Sequence, residues 1–126
     1  MKMKNRTLWD SFQNAWAGVS YALKTQRNIR IHISAAVIVL VLGWLLEIGK
    51  LDFLFLVFAI SLVFTTEMMN TAVEKTVDLF MSTYHPLAKI AKNVAAGAVL
   101  VAAINAVITG MAVLGLPLFR VLRGLL

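Results

Sequence analysis

Apolar residues along this chain gather into three long runs with short polar stretches between them. The first spans about 31–48 (IHISAAVIVLVLGWLLEI). The second opens at Leu51, stays apolar to Phe64 and continues as a more polar segment to Phe80. The third spans about 94–118. Each is near the roughly 20 residues that cross about 30 Å of hydrocarbon. Lipid cannot satisfy loose backbone groups, and three spans are too few to close a barrel, so all three are predicted to be helices. The second is expected to span the bilayer over 51–70, with a cytoplasmic extension to 80.

Residues 8–24 carry a different pattern. Trp9, Phe12, Trp16, Val19 and Leu23 recur at spacings of three and four, which makes one apolar stripe on a helix. Asp10, Gln13, Asn14 and Lys24 fall off that stripe. Thr7 is a suitable N-cap, with Asp10 in the first turn. The pattern fits an amphipathic helix lying in the membrane interface. The alternative is a helix packed on the bundle. In the third run, Gly97, Ala98, Ala102, Ala106 and Gly110 offer small residues for close helix contact. The expectation is one all-α membrane domain over 1–126: a surface helix and three transmembrane helices.

Composition strengthens this picture. The chain has 126 residues, 60% of them hydrophobic, with mean hydropathy +0.83. Soluble domains sit near 45–50% apolar. The first long apolar run begins only after Arg30, too deep for a cleavable signal. The absence of cysteine excludes disulfides, thiolate metal sites and thiol catalysis. The net charge is +6, yet only 14% of residues are charged. The basic residues flank apolar runs and form no solvated face, which argues against nucleic acid as a partner. Lys2, Lys4, Arg6, Lys24, Arg27 and Arg30 precede the first span, and Lys75, Lys89 and Lys92 lie between the second and third. By the positive-inside rule, the N-terminus and the 75–92 region are both expected on the cytoplasmic side. Arg120 and Arg123 then fall on the other side, against the rule, and the larger cluster decides.

Candidate chemistry lies in Glu67-Met-Met-Asn70-Thr-Ala-Val-Glu74-Lys-Thr-Val-Asp78. At 3.6 residues per turn, Glu67, Asn70, Glu74 and Asp78 fall at about 0°, 300°, 340° and 20° around the helix. Met68, Met69, Val73 and Val77 keep the rest of the surface apolar. The stripe starts where an apolar run ends, and ionisable groups at such depth are functional candidates by default. The plainer alternative is a helix emerging into water with a solvated polar face. Carboxylates of this kind suit two tasks: holding Mg²⁺ beside phosphate oxygens, and taking a proton from a hydroxyl. Phosphoryl transfer needs both, with cations near the γ-phosphate. His85, Lys89 and Lys92 follow on the same side, and Arg27, Arg30 and His32 stand at the start of the first span. Neither a G-x-x-x-x-G-K-[ST] nor a G-x-G-x-x-G motif occurs, so soluble kinase folds find no support.

These residues resemble the bacterial diacylglycerol kinase and undecaprenol kinase family of small membrane enzymes. The shared pattern is E-x-x-N-x-A-x-E-x-x-V-D at Glu67, Asn70, Ala72, Glu74, Val77 and Asp78, followed by His85 and Lys92. Upstream, S-F-x-x-A-x-x-G falls at Ser11, Phe12, Ala15 and Gly18, and R-N-x-x-x-H at Arg27, Asn28 and His32. The R-N-x-x-x-H and H-P-L-A-K forms look closer to the Gram-positive undecaprenol branch. The resemblance implies Glu67 as general base toward a lipid hydroxyl and Glu74 as a Mg²⁺ ligand beside an upstream acid. It places Asn70, Asp78, Lys92 and Asn93 around the nucleotide, with Lys92 on the ATP phosphates. It also implies a homotrimer in the bacterial cytoplasmic membrane, with ATP and either undecaprenol or diacylglycerol as substrates. Two positions depart from the pattern: Gln26 stands where relatives carry the metal-binding acid, and Asn93 where Asp is usual. Each removes a negative charge, which leaves room for a catalytically weakened binding or structural relative. A small ion or solute transporter is a third option, but it would spread acids across the bilayer depth.

Overall fold

A computed structural model of the chain describes residues 7–125. Four helices follow in order: α1 (Leu8–Thr25), α2 (Arg27–Leu45), α3 (Lys50–Phe80) and α4 (Pro86–Leu125). The last three are long and apolar enough to cross a membrane, by length and composition. Lys2, Lys4 and Arg6, counted toward the cytoplasmic charge, lie outside the described residues.

Local backbone geometry sets the bounds of the first two helices, and of the first three helices only α1 starts on a side-chain cap. Thr7 Oγ1 accepts from the Asp10 amide at 3.1 Å and starts α1. Gln26 breaks the chain between α1 and α2 with an extended backbone (φ −99°, ψ 113°), while its N–H still closes the last turn on Ala22. The first span was expected over 31–48, but α2 runs four residues earlier and ends sooner. Arg27, Asn28 and Arg30 are polar yet helical, because a helix needs no apolar side chains in its first turn. Beyond Leu45 the chain turns back on itself. The Glu47 N–H donates to the Trp44 carbonyl at 3.1 Å and the Ile48 N–H to the Gly43 carbonyl at 3.2 Å. This is the Schellman arrangement, with Glu47 at φ 51° in the left-handed position that glycine usually fills.

α3 has 31 residues, about 46 Å of helix, and carries the apolar run and the polar stripe without a break. α4 has 40 residues, about 60 Å, and encloses the expected 94–118 span. Pro86 occupies its first turn, where a missing N–H costs nothing, and Pro117 is carried inside it.

α3 and α4 form an antiparallel pair with the most extensive contact in the molecule, and α2 packs mainly on α3. Leu56, Ala59 and Val63 of α3 are buried against this seam, as are Ala102 and Leu114 of α4. The small-residue face predicted for α4 is only partly used: Ala102 is buried and Ala106 and Gly110 are half-buried, while Ala98 points outward. Val37, Val41, Phe58, Val101 and Met111 are exposed around the three long helices. Such an outer surface suits lipid as solvent. On α1, Trp9, Phe12 and Trp16 are also exposed, at 65%, 60% and 63%. That part of the stripe therefore does not pack on the bundle, while Val19 and Leu23 are half-buried.

Candidate active site

The face of α3 that packs in the bundle is the face that carries the polar stripe. Around the helix, Leu56, Ala59 and Val63 share an arc with Glu67, Asn70, Glu74 and Asp78. An apolar seam thus becomes a polar one about 26 Å along α3, at Glu67. Glu67 is only 3% exposed. Burying a carboxylate without a partner is expensive, and His32 of α2 supplies one, with Nε2 3.2 Å from Glu67 Oε1. One turn on, Thr71 Oγ1 donates to the Glu67 main-chain carbonyl at 3.0 Å.

Asn70 Nδ2 donates to Glu74 Oε1 at 3.1 Å. The other end of that amide, Oδ1, is buried and has no partner among the described residues. Orphaned buried acceptors are rare and call for an explanation. Here a neutral oxygen acceptor stands beside a carboxylate, a donor pair that suits a hard cation shared with phosphate oxygens. No group of three or more His, Cys, Asp or Glu residues gathers among the described residues, so the chain offers no closed metal cage of its own.

Further along, the stripe meets α4. Lys92 Nζ lies 2.5 Å from Asp78 Oδ1 and ties the end of α3 to the start of α4. Both side chains are well exposed. A pocket of about 230 Å³ opens beside them, lined in part by Asp78, Tyr84, Lys89, Lys92 and Asn93. His85 is occupied at the α4 start, where its Nδ1 accepts the Leu87 N–H at 3.2 Å.

The predicted residues therefore form two groups. Glu67, Asn70 and Glu74 lie deep along α3, and Asp78, Lys92 and Asn93 frame the outer pocket. Gln26 is in neither: it sits at the α1–α2 junction and makes no side-chain cap bond. Among the described residues, no hydrogen bond links it to Glu74. The partnership of His32 with Glu67 was not read from the sequence. The R-N-x-x-x-H pattern named the residue, but nothing in it shows what His32 touches.

The chain belongs to the family described as prokaryotic diacylglycerol kinase, whose model matches residues 13–114. A diacylglycerol kinase of Synechocystis is 50% identical over 113 residues, covering 89% of this chain and 65% of that protein. This chain thus spans just under two thirds of that relative's length. An undecaprenol kinase of Bacillus subtilis is 42% identical over 101 residues, covering 80% of this chain and 82% of its own. A diacylglycerol kinase of Escherichia coli is 33% identical over 95 residues, covering 75% and 78%. Relatives named for both substrates match, so these similarities do not confirm the leaning toward the Gram-positive undecaprenol branch.

Proposed function

We propose that this chain is an ATP-dependent kinase of a membrane lipid alcohol. The observation that carries the reading is the buried Glu67 carboxylate, held by His32 at the level where the apolar seam of α3 turns polar. A lipid hydroxyl approaching from the hydrocarbon reaches Glu67 first. ATP, approaching from water, reaches Asp78, Lys92 and Asn93 first. Between them lie Asn70 and Glu74.

Glu67 accepts the hydroxyl proton. The lipid oxygen then attacks the γ-phosphorus, the bond from that phosphorus to the bridging oxygen of ADP breaks, and ADP leaves. The Lys92 ammonium neutralises charge on the phosphates, at the cost of its exposed contact with Asp78. Asn93 reaches the ribose or base. Glu74, with the orphaned Asn70 Oδ1 beside it, would hold the Mg²⁺ brought with the nucleotide, which would supply charge neutralisation at the phosphates. The carry-over of Gln26 to this metal site needs the α1–α2 junction within reach of Glu74.

The basic residues Arg27, Arg30, Lys89 and Lys92 share the site end of the bundle, which makes that end cytoplasmic by the positive-inside rule. α1 then lies on the cytoplasmic membrane surface with Trp9, Phe12 and Trp16 in the interface. The working unit is a homotrimer.

Undecaprenol is the first substrate reading, from the R-N-x-x-x-H and H-P-L-A-K patterns. Diacylglycerol is the second, favoured by the 50% identical relative of that name. The test is purified protein with radiolabelled ATP, Mg²⁺ and a panel of lipid alcohols. Transfer to undecaprenol faster than to diacylglycerol supports the first, and the reverse order supports the second. No transfer to any alcohol sinks the kinase reading.

A further inference from the structure

Asn105 lies about 20 Å along α4 from Lys92, inside the span expected over 94–118, and it is exposed. Among the described residues it has no hydrogen-bond partner. An amide left in hydrocarbon without a partner is costly. The residues around it form a pattern. Ala98, Val101, Asn105, Ile108 and Ala112 recur at alternating spacings of three and four, and all five are exposed. That is the seam of a helix that packs along a second helix, with small residues and one polar residue at the same heptad position. Ala102 and Leu114, which are buried inside the chain, lie on another face of α4. Within the chain the seam is unused.

α3 carries a matching face. Phe58, Thr65 and Ala72 are exposed and recur every seven residues, on the side of α3 opposite Glu67. The Thr65 hydroxyl donates to the Ser61 carbonyl at 2.9 Å, and its oxygen keeps lone pairs for an incoming N–H. The contact of Asp78 with Lys92 sets the depth of α3 against α4. Thirteen residues separate Thr65 from Asp78, and thirteen separate Lys92 from Asn105. At 1.5 Å per residue, Thr65 and Asn105 therefore share one depth. The same count sets Ala98 level with Ala72, and the small Ala112 level with the large Phe58. Within one chain these two faces point outward and do not meet. Copies related by an axis normal to the membrane keep every residue at its own depth, so the faces of neighbouring copies match.

We infer that the α4 seam of one copy packs along the outer face of α3 of the next copy, and that Asn105 Nδ2 donates there to the Thr65 hydroxyl oxygen. The two surfaces differ, so the contact is head-to-tail and repeats until a ring closes. Pairing two α4 seams would also cover Asn105, but it leaves the α3 face without a partner. The inference rests on the self-association in the functional reading and gives it a contact surface. It does not use the kinase chemistry.

The chain has no cysteine, so introduced cysteines read the contact cleanly. Oxidation of membranes holding Asn105→Cys and Thr65→Cys chains together should give disulfide-linked dimers of the two, in several-fold excess over either variant alone. No such dimers, or Asn105→Cys joining itself as readily, overturns the assignment. A second measurement reads the hydrogen bond. Energy transfer between labelled copies, followed on dilution into lipid, should show association weakened about three- to tenfold in Asn105→Leu and in Thr65→Val. Each puts an apolar side chain on an exposed face, so neither disturbs packing within the chain. With one partner gone, the second change should add little. Unchanged association, or fully additive losses, overturns the inference. If the unmodified chain does not self-associate, the homotrimer reading fails and takes the inference with it. If it associates through this pair but phosphorylates no alcohol, the kinase reading fails and the contact stands.

Discussion

Both ends of this helical bundle carry charge, but they treat it differently. At the loop end, Glu47, Lys50 and Asp52 are exposed, and the first two line a cleft of about 730 Å³. At the other end Glu67 is buried against His32, Asn70 holds Glu74, and Asp78 meets Lys92 across two helices. Both close contacts between a basic and an acidic side chain among the described residues lie at that end. The loop end has the larger cavity and the site end has the partnered carboxylates. Burial with an assigned partner, more than cavity size, singles out Glu67 as the candidate carboxylate, because exposed groups gain little from one another in water.

That contrast breaks most sharply at Glu67. Glu67→Gln should lower phosphoryl transfer by about 10²–10⁴ through loss of the general base, with folding and ATP binding nearly intact. Glu47→Gln, at the loop end, should leave the rate within about twofold. Equal losses from the two variants would erase the distinction between the ends. Lys92→Ala comes next. Its pair with Asp78 is exposed, so stability should change by no more than about 1 kcal/mol, whereas KM for ATP should rise about tenfold through loss of a charged hydrogen bond. Thermal unfolding and a nucleotide titration on one preparation separate these. His32→Ala removes the orienting bond to Glu67. A hydrogen bond to a carboxylate, about 1.5 kcal/mol at the low end, predicts a fall in kcat of about tenfold, without a change in KM for ATP. A raised KM for ATP instead would place His32 among the nucleotide contacts.

The smallest effect concerns metal. Gln26→Glu should lower the Mg²⁺ concentration for half-maximal activity a few-fold, since Mg²⁺ favours charged oxygen ligands, with little change at saturation. Asn93→Asp should shift it less. A midpoint unmoved by Gln26→Glu would take position 26 away from the metal and leave Glu74 and Asn70 to hold it.

The parts legible in the sequence were those written within one helix. The stripe from Glu67 to Asp78 follows from the helical period, and the structure keeps it on one face of α3. The span limits were less legible, because hydropathy records depth in lipid and not backbone conformation. Arg27 is helical though polar, and Ile48 lies outside the helices though apolar. The outward turn of Ala98 has a similar cause: small residues permit contact but do not set helix rotation. The His32–Glu67 contact joins two helices distant in sequence, and no local spacing encodes it.

The central claim is that Glu67 activates a lipid hydroxyl toward ATP. Its most direct measurement is a single turnover with γ-labelled ATP, excess purified protein and a lipid alcohol. Label in phosphorylated lipid and ADP are counted for the unmodified chain and for Glu67→Gln. The account predicts one labelled lipid phosphate for each ADP, and neither product on that timescale from Glu67→Gln. Free phosphate without phosphorylated lipid, or an undiminished burst from Glu67→Gln, would contradict it.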